Sequence, residues 1–181
     1  TARVPLKSQS TLKILSDASG NGHYCTARLF GFQIYENGAL VRDYKPYVKD
    51  GLIGLMETAS NGGFLPIAKA ENSSQLSDGG NIEIDGRTDA YIENDGVTAL
   101  TLDYKANMKS RIEFDFQWLR LKDGGEVVCG AWNTGTLRYC FWHYKNDIEV
   151  IFDGKSKSHQ TVTRRSPALR PTSCAILRCW T

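Results

Sequence analysis

No stretch of this chain approaches the roughly 18 consecutive apolar residues of a membrane-spanning helix, so membrane insertion is not expected. The opening "TARVPLKSQS" lacks the apolar centre of a secretion signal and does not begin with Met, so the chain reads as an excerpt from a longer protein. A cysteine framework is missing too. Five cysteines at irregular spacing, Cys25, Cys129, Cys140, Cys174 and Cys179, make neither a set of paired bridges nor a zinc signature. His23, His143 and His159 share no metal-ligand spacing. No nucleophile elbow, phosphate-cradling glycine loop or helix-loop-helix calcium loop is present.

Charge of one sign is also scarce. The chain carries 22 basic and 20 acidic residues. The last 18 residues, "RRSPALRPTSCAILRCWT", hold four arginines and no acid, and without them acids outnumber bases by two. A global nucleic-acid-binding charge is therefore absent, and the basicity belongs to the tail. Helical periodicity is hard to find anywhere.

What the chain does have is strands. "TLKIL", "TARLFGFQIY", "ALVRDY", "AYIE", "VTALTLDY", "RIEFDFQWL", "EVVCGAW", "LRYCFWHY" and "DIEVIFD" follow one another, separated by Gly, Asn and Asp turns. That spacing predicts an all-β sandwich or barrel. In "RIEFDFQWL", Ile112, Phe114, Phe116 and Trp118 alternate with Glu113, Asp115 and Gln117, which predicts a strand with one wet face.

The clearest hairpin surrounds Asn37-Gly38 in "GFQIYENGALVRDYKPYV". Both residues of a two-residue turn need positive φ, which Asn tolerates and Gly adopts freely. With that loop, Glu36 opposes Ala39, Tyr35 opposes Leu40, Ile34 opposes Val41 and Phe32 opposes Asp43. Alternation then places Phe30, Phe32, Ile34 and Val41 on one face, and Leu29, Tyr35, Leu40 and Tyr44 mostly on the other. Both faces are partly apolar, as in an inner pair of strands covered on two sides. Pro46 has no N–H to donate, so the second strand should stop near Lys45. A second hairpin centred on Thr134-Gly135 would bring Cys129 opposite Cys140; a three-residue loop would oppose Cys129 to Tyr139 instead. The thiols are then either cross-strand neighbours or two buried free cysteines packing as small hydrophobes.

The segment "RLFGFQIYENGALVRDYKPYVKDGLIGLMETASNGGFLP", residues 28–66, resembles the closing strands of concanavalin A-like, laminin-G-like jelly-roll modules of large secreted or surface proteins of bacteria and of some phage structural proteins. "GLME" stands where a "GLYD"-like step is usual in them. "DGRTDAYIENDGVTALTLDYKANMKSRIEFDFQWL" and "GAWNTGTLRYCFW" are similar to the opening strands of the same modules. The two halves therefore stand in permuted order. Residues 1–67 correspond to closing strands, 68–85 to a linker or long loop, 86–163 to opening strands, and 164–181 to an atypical basic tail. First and last strands of a jelly roll are neighbours, so a linker can join the halves into one sandwich over 1–181. Half a sandwich would expose an apolar face and open edges.

The resemblance implies a non-catalytic carbohydrate-binding or adhesion module, located outside the cell, on its surface or on a phage particle. Its partners would be a glycan or glycoprotein and neighbouring modules of the parent chain. A structural or protein-interaction spacer is the alternative, because this fold hosts lectins, enzymes and inert modules alike. A degenerate glycoside hydrolase is the second alternative. "NIEIDGRTD" resembles the "EIDxE" strand of jelly-roll glucanases, with Glu83 and Asp85 on one strand face. The third acid is missing, since Arg87 and Thr88 stand where it would fall, and retaining hydrolysis needs two carboxyl groups about 5–5.5 Å apart. The expectation is no enzyme.

Aromatic side chains supply the candidate ligand site. Trp132, Tyr139, Phe141, Trp142 and Tyr144 cluster around one hairpin beside Asn133 and Arg138. Alternation sends Tyr139, Phe141 and His143 to one face and Arg138, Trp142 and Tyr144 to the other. Sugar rings present an apolar C–H face that stacks on such rings, while their hydroxyls need fixed polar partners. Trp132, Asn133, Arg138 and Trp142 are the expected ligand contacts. No cofactor or metal is expected; Ca2+ is the one ion that the loops at 17–21 and Asn94-Asp95 could accept through oxygen atoms, although Asx residues in turns usually serve the backbone.

Overall fold

The computed structural model of the protein describes residues 10–16, 23–50, 52–60, 63–66, 76–77, 81–84, 87–96, 99–107, 109–120, 125–131, 139–144, 147–152, 155–157, 162–164 and 174–179. The described residues form strands and connections, with no helix. Strands are β1 (Lys13–Ile14), β2 (Thr26–Glu36), β3 (Ala39–Lys49), β4 (Leu52–Glu57), β5 (Phe64–Pro66), β6 (Leu76–Ser77), β7 (Asn81–Ile84), β8 (Arg87–Ala90) and β9 (Ile92–Asp95). They continue with β10 (Leu100–Thr101), β11 (Ser110–Arg120), β12 (Glu126–Ala131), β13 (Tyr139–Tyr144), β14 (Asp147–Phe152), β15 (Lys155–Lys157), β16 (Val162–Arg164) and β17 (Cys174–Cys179).

Two antiparallel sheets carry the fold. The smaller runs β10-β1-β12-β13-β14-β15, and the larger β16-β17-β11-β2-β3-β4-β5, with β9 on β2 and β6 on β9. Among the described residues, β7 and β8 pair only with each other. The sheets share one apolar core. Leu29, Phe32, Ile34, Ile112, Phe116 and Trp118 of the larger sheet join Ile14, Leu100, Val128, Cys129 and Phe141 of the smaller one in a single buried cluster. The ring of Phe114 meets that of Phe141 edge-on at 4.9 Å, across the two sheets. This all-β arrangement of stacked sheets is a β-sandwich.

The segments that read as closing and opening strands are hydrogen-bonded to each other. β2 pairs with β11 from Ser110↔Glu36 to Arg120↔Thr26. The stretch 68–85, expected as linker or loop, contains β6 and β7, and the basic tail supplies β17, which pairs with β11 from Ile112↔Cys179 to Gln117↔Cys174.

The Asn37-Gly38 turn forms as its chemistry dictates, with φ of 51° and 83°. Glu36↔Ala39 and Tyr35↔Leu40 follow, but Ile34 then opposes Arg42 and Phe32 opposes Tyr44. Val41 is the extra residue of a β-bulge, which moves every later partner by one. A second bulge on the β11 side of β2 leaves Phe30 between Asp115↔Gly31 and Phe116↔Leu29. The expected faces change accordingly. Leu29, Phe32, Ile34 and Tyr44 turn into the core, whereas Phe30 packs on Tyr91 at 5.6 Å.

β3 does not stop at Lys45. It continues to Lys49, paired with β4 through Pro46↔Leu55, Tyr47↔Gly54 and Lys49↔Leu52. Its recorded pairing with β2 ends at Tyr44, so Pro46 lies where β3 has one described partner strand, a position that tolerates a missing N–H. A bulge at Val128 opposes Cys129 to Phe141 and Gly130 to Cys140, so the two thiols point to opposite faces. Cys25, Cys129 and Cys140 are buried cysteines.

Candidate functional site

Of the four side chains expected to contact a ligand, Trp132, Asn133 and Arg138 lie outside the described residues. Trp142 sits on β13 with its cross-strand neighbours Val127 and Glu149. It faces away from the core, as alternation predicts: Phe141 and His143 point inward, 3% and 1% exposed. His143 lies 5.4 Å from the Trp118 ring, as a core histidine. Trp142 itself is half-buried. Its indole lies on Gly125, where a Cβ would come within 2.8 Å of the ring, and the His23 ring stands 4.9 Å away at 43°. Gly125 adopts φ +87°, so its lack of a side chain is needed both for the backbone and for the indole.

The other candidates resolve more simply. The loop at 17–21 is outside the described residues. Asn94 is fully buried; its amide donates to the Cys25 carbonyl and its Oδ1 accepts from the Gly96 N–H, so it serves the backbone. Glu83 stands opposite Thr88 in the β7–β8 hairpin, and its side chain, like Asp85, is outside the described atoms. Among the described residues, no group of three or more His, Cys, Asp or Glu side chains is placed to hold a metal ion.

A second surface emerges from the register of the larger sheet. Ile112, Phe114, Phe116 and Trp118 of β11 face the core, so Arg111, Glu113, Asp115 and Gln117 share the outer face. Their partners continue it in rows. Arg111 lies beside Tyr35, Glu113 beside Gln33 and then Asp43, Asp115 beside Gly31, and Gln117 beside Arg28 and then Glu93. Further along β3, Lys45 and Tyr47 lie on this same face, opposite Met56 and Gly54, with Phe64 and Pro66 of β5 beyond.

These polar side chains lie down on the sheet and hold one another. Arg28 Nε meets Glu93 Oε2 at 2.7 Å, its Nη1 donates to Gln117 Oε1 at 3.4 Å, and its guanidinium covers the Tyr91 ring at 4.8 Å. At the other end of β11, Arg111 covers the Tyr35 ring at 3.8 Å and approaches Glu113 at 3.5 Å, while Tyr35 Oη donates to Gln33 at 3.0 Å. Between them, Lys45 Nζ approaches Asp43 at 3.5 Å and lies above Gly31, where a Cβ would stand 3.5 Å from it. Thr58 Oγ1 donates to Asp43 Oδ2 at 3.0 Å.

An aromatic pair closes one side of this bed. Tyr47 is half exposed and meets Phe64 at 6.4 Å and 73°. Gly54 makes the pair possible: a Cβ there would fall 2.4 Å from the Leu65 carbonyl oxygen and 2.6 Å from the Phe64 ring. The β4 end is clamped by Glu57, whose carboxylate accepts from the N–H groups of Asp43, Ala59 and Ser60 at 3.2, 2.8 and 3.2 Å and from the Ser60 hydroxyl. Burial by itself would raise the Glu57 pKa, but the Ser60 hydroxyl and these backbone donors together hold it below the ordinary carboxylate value.

The outer face therefore offers planar donors and acceptors in fixed positions with an accessible ring at their margin. Tyr47, Phe64 and Gly54 are absent from the sequence-derived site; a strand ending at Lys45 leaves Tyr47 outside the sheet and hides its place beside Gly54 and Phe64. The signal was present in "YKPYVK", where Tyr44 turns inward and Lys45, Tyr47 and Lys49 alternate outward. No protein-family model, curated protein or solved structure matches the chain.

Proposed function

We propose that this chain is a non-catalytic carbohydrate-binding module, and that it binds a glycan across the outer face of the larger sheet. The observation that carries the reading is the half-exposed Tyr47 ring, set against Phe64 over Gly54 and adjoining a bed of planar polar side chains. A sugar ring stacks its C–H face on Tyr47. Its hydroxyls exchange hydrogen bonds with Asp43, Gln33, Glu113 and Asp115, which are already aligned and lose little freedom on binding. On this reading the fold is a jelly roll of the concanavalin A-like kind with its halves in permuted order, serving adhesion within a larger secreted or surface protein.

Binding to a glycan array and to soluble polysaccharides tests the proposal. Saturable binding that Tyr47→Ala abolishes, with the unfolding transition unchanged, is the expected result. Loss with Trp142→Ala and not with Tyr47→Ala moves the site to the smaller sheet. Silence across the panel favours a structural spacer.

A further inference from the structure

We infer that Asn37 is a site of spontaneous deamidation and isoaspartate formation, an irreversible change at the hairpin tip of the larger sheet. Asn37 and Gly38 are both exposed, and nothing lies within 4 Å of the place where a Gly38 side chain would stand. The Asn37 carboxamide makes no hydrogen bond among the described residues, whereas its backbone N–H donates to the Lys109 carbonyl at 3.3 Å. In a two-residue hairpin loop the closing pair is the flanking one, here Glu36↔Ala39, so the Gly38 N–H is not committed to the ladder.

The chemistry follows from that placement. The Gly38 amide nitrogen, after losing its proton, attacks Asn37 Cγ. The bond from Cγ to the side-chain nitrogen breaks and ammonia leaves, closing a five-membered succinimide. Water then opens the ring. Addition at Cγ gives aspartate at position 37. Addition at the main-chain carbonyl gives isoaspartate, in which the backbone runs through Cβ and Cγ. Glycine next in the chain matters because a Cβ would crowd the attacking nitrogen.

The structure also sets the consequence. Glu36 is tied down, accepting from Tyr104 Oη and Asn107 Nδ2 at 2.8 Å each. An isoaspartate lengthens the tip by one backbone atom while its upstream flank stays anchored. The two-residue turn then no longer fits, and the pairs Glu36↔Ala39 and Tyr35↔Leu40 loosen as far as the bulge at Val41. Tyr35 is the ring that Arg111 covers, so the modification reaches one end of the polar outer face.

The test is peptide mapping of the folded chain after incubation in warm, mildly alkaline buffer. The chain carries two further Asn-Gly pairs as internal references, Asn21-Gly22 and Asn61-Gly62. The expected result is that the tryptic peptide 29–42 accumulates the mass of an OH for an NH2. It should also become a substrate for isoaspartyl methyltransferase, and both signals should rise with pH. In Gly38→Ala, and in Asn37→Asp for the mass signal, the change should slow several-fold or vanish. An unmodified Asn37 in the native chain, under conditions that convert the same peptide when free, overturns the inference.

Discussion

On β11 the two faces are both withdrawn from solvent, by opposite means. Ile112, Phe114, Phe116 and Trp118 are at most 2% exposed, packed between the sheets. Arg111 and Glu113, on the reverse of the same strand, expose only 23% and 16% of their side chains, although no second sheet is described over them. The inner face is closed by contacts among rings and branched chains, which nothing outside the core can replace. The outer face is closed by ion pairs, hydrogen bonds and guanidinium stacking, interactions that a hydroxyl-rich ligand can share or exchange at small net cost. On the proposed reading, one strand thus serves the stability of the fold on one side and recognition on the other.

The sharpest way to break that comparison is at Phe114, whose ring touches those of Phe32, Phe116 and Phe141. Phe114→Ala should destabilise the chain by about 3–5 kcal/mol, read as a lower urea midpoint with similar cooperativity. A loss as small as that of an outer-face substitution would mean that the two sheets do not share a core.

Gly54 joins the fold to the proposed binding face. Gly54→Ala forces a Cβ against a carbonyl oxygen and the Phe64 ring, an overpacking that costs about 1–3 kcal/mol. It should also displace Phe64 from Tyr47, so binding falls further than the stability change alone explains, measured by denaturation and titration of the same preparation.

How far the sequence foretells these two faces depends on how local the determinants are. The Asn-Gly turn, the alternation of β11 and the shared face of Phe141 and His143 follow from neighbouring residues, and they are read correctly. The bulges at Val41, Phe30 and Val128 depend on what lies across the strand, so the register, the faces of Phe30 and Tyr44, and the offset of Cys129 from Cys140 do not follow from local pattern. Pro46 misleads for the same reason: whether a proline ends a strand depends on whether a partner needs its N–H. That the polar outer face is held down by its own side chains does not follow from local pattern, because charge in one chain segment does not reveal that Arg28, 89 residues from Gln117, lies beside it.

Glu57 tests the clamp at the end of β4. Glu57 is 6% exposed, and Glu57→Gln should cost about 1–3 kcal/mol through weakened acceptance from the surrounding donors. The sign of its pH dependence follows from a folded-state pKa held below the unfolded value. The stabilisation is fully present above the ordinary glutamate range and is lost as pH falls through that range towards the lower folded value. Urea midpoints of wild type and Glu57→Gln should therefore converge in acid; a constant gap down to the acid transition contradicts the clamp.

The smallest effect on stability is expected at Arg111, and that smallness is what makes it informative. Its partners include a 3.5 Å contact with Glu113 and the face of Tyr35, with 23% of its side chain exposed. Partly exposed ion pairs and cation–π contacts are each worth about 0–1 kcal/mol, and salt screens the first of them. Arg111→Ala should accordingly move the urea midpoint little, and less still in high salt. It should nonetheless uncover Tyr35 and release Glu113 from its fixed position, so glycan affinity falls while folding does not. Arg111→Lys keeps the charge but not the planar cover over Tyr35, and should bind as weakly as the alanine variant if the flat bed, rather than the charge, is what a ligand meets. Recovery of affinity by lysine would instead make the outer face an electrostatic surface, and the contrast between the two sides of β11 would reduce to apolar against charged.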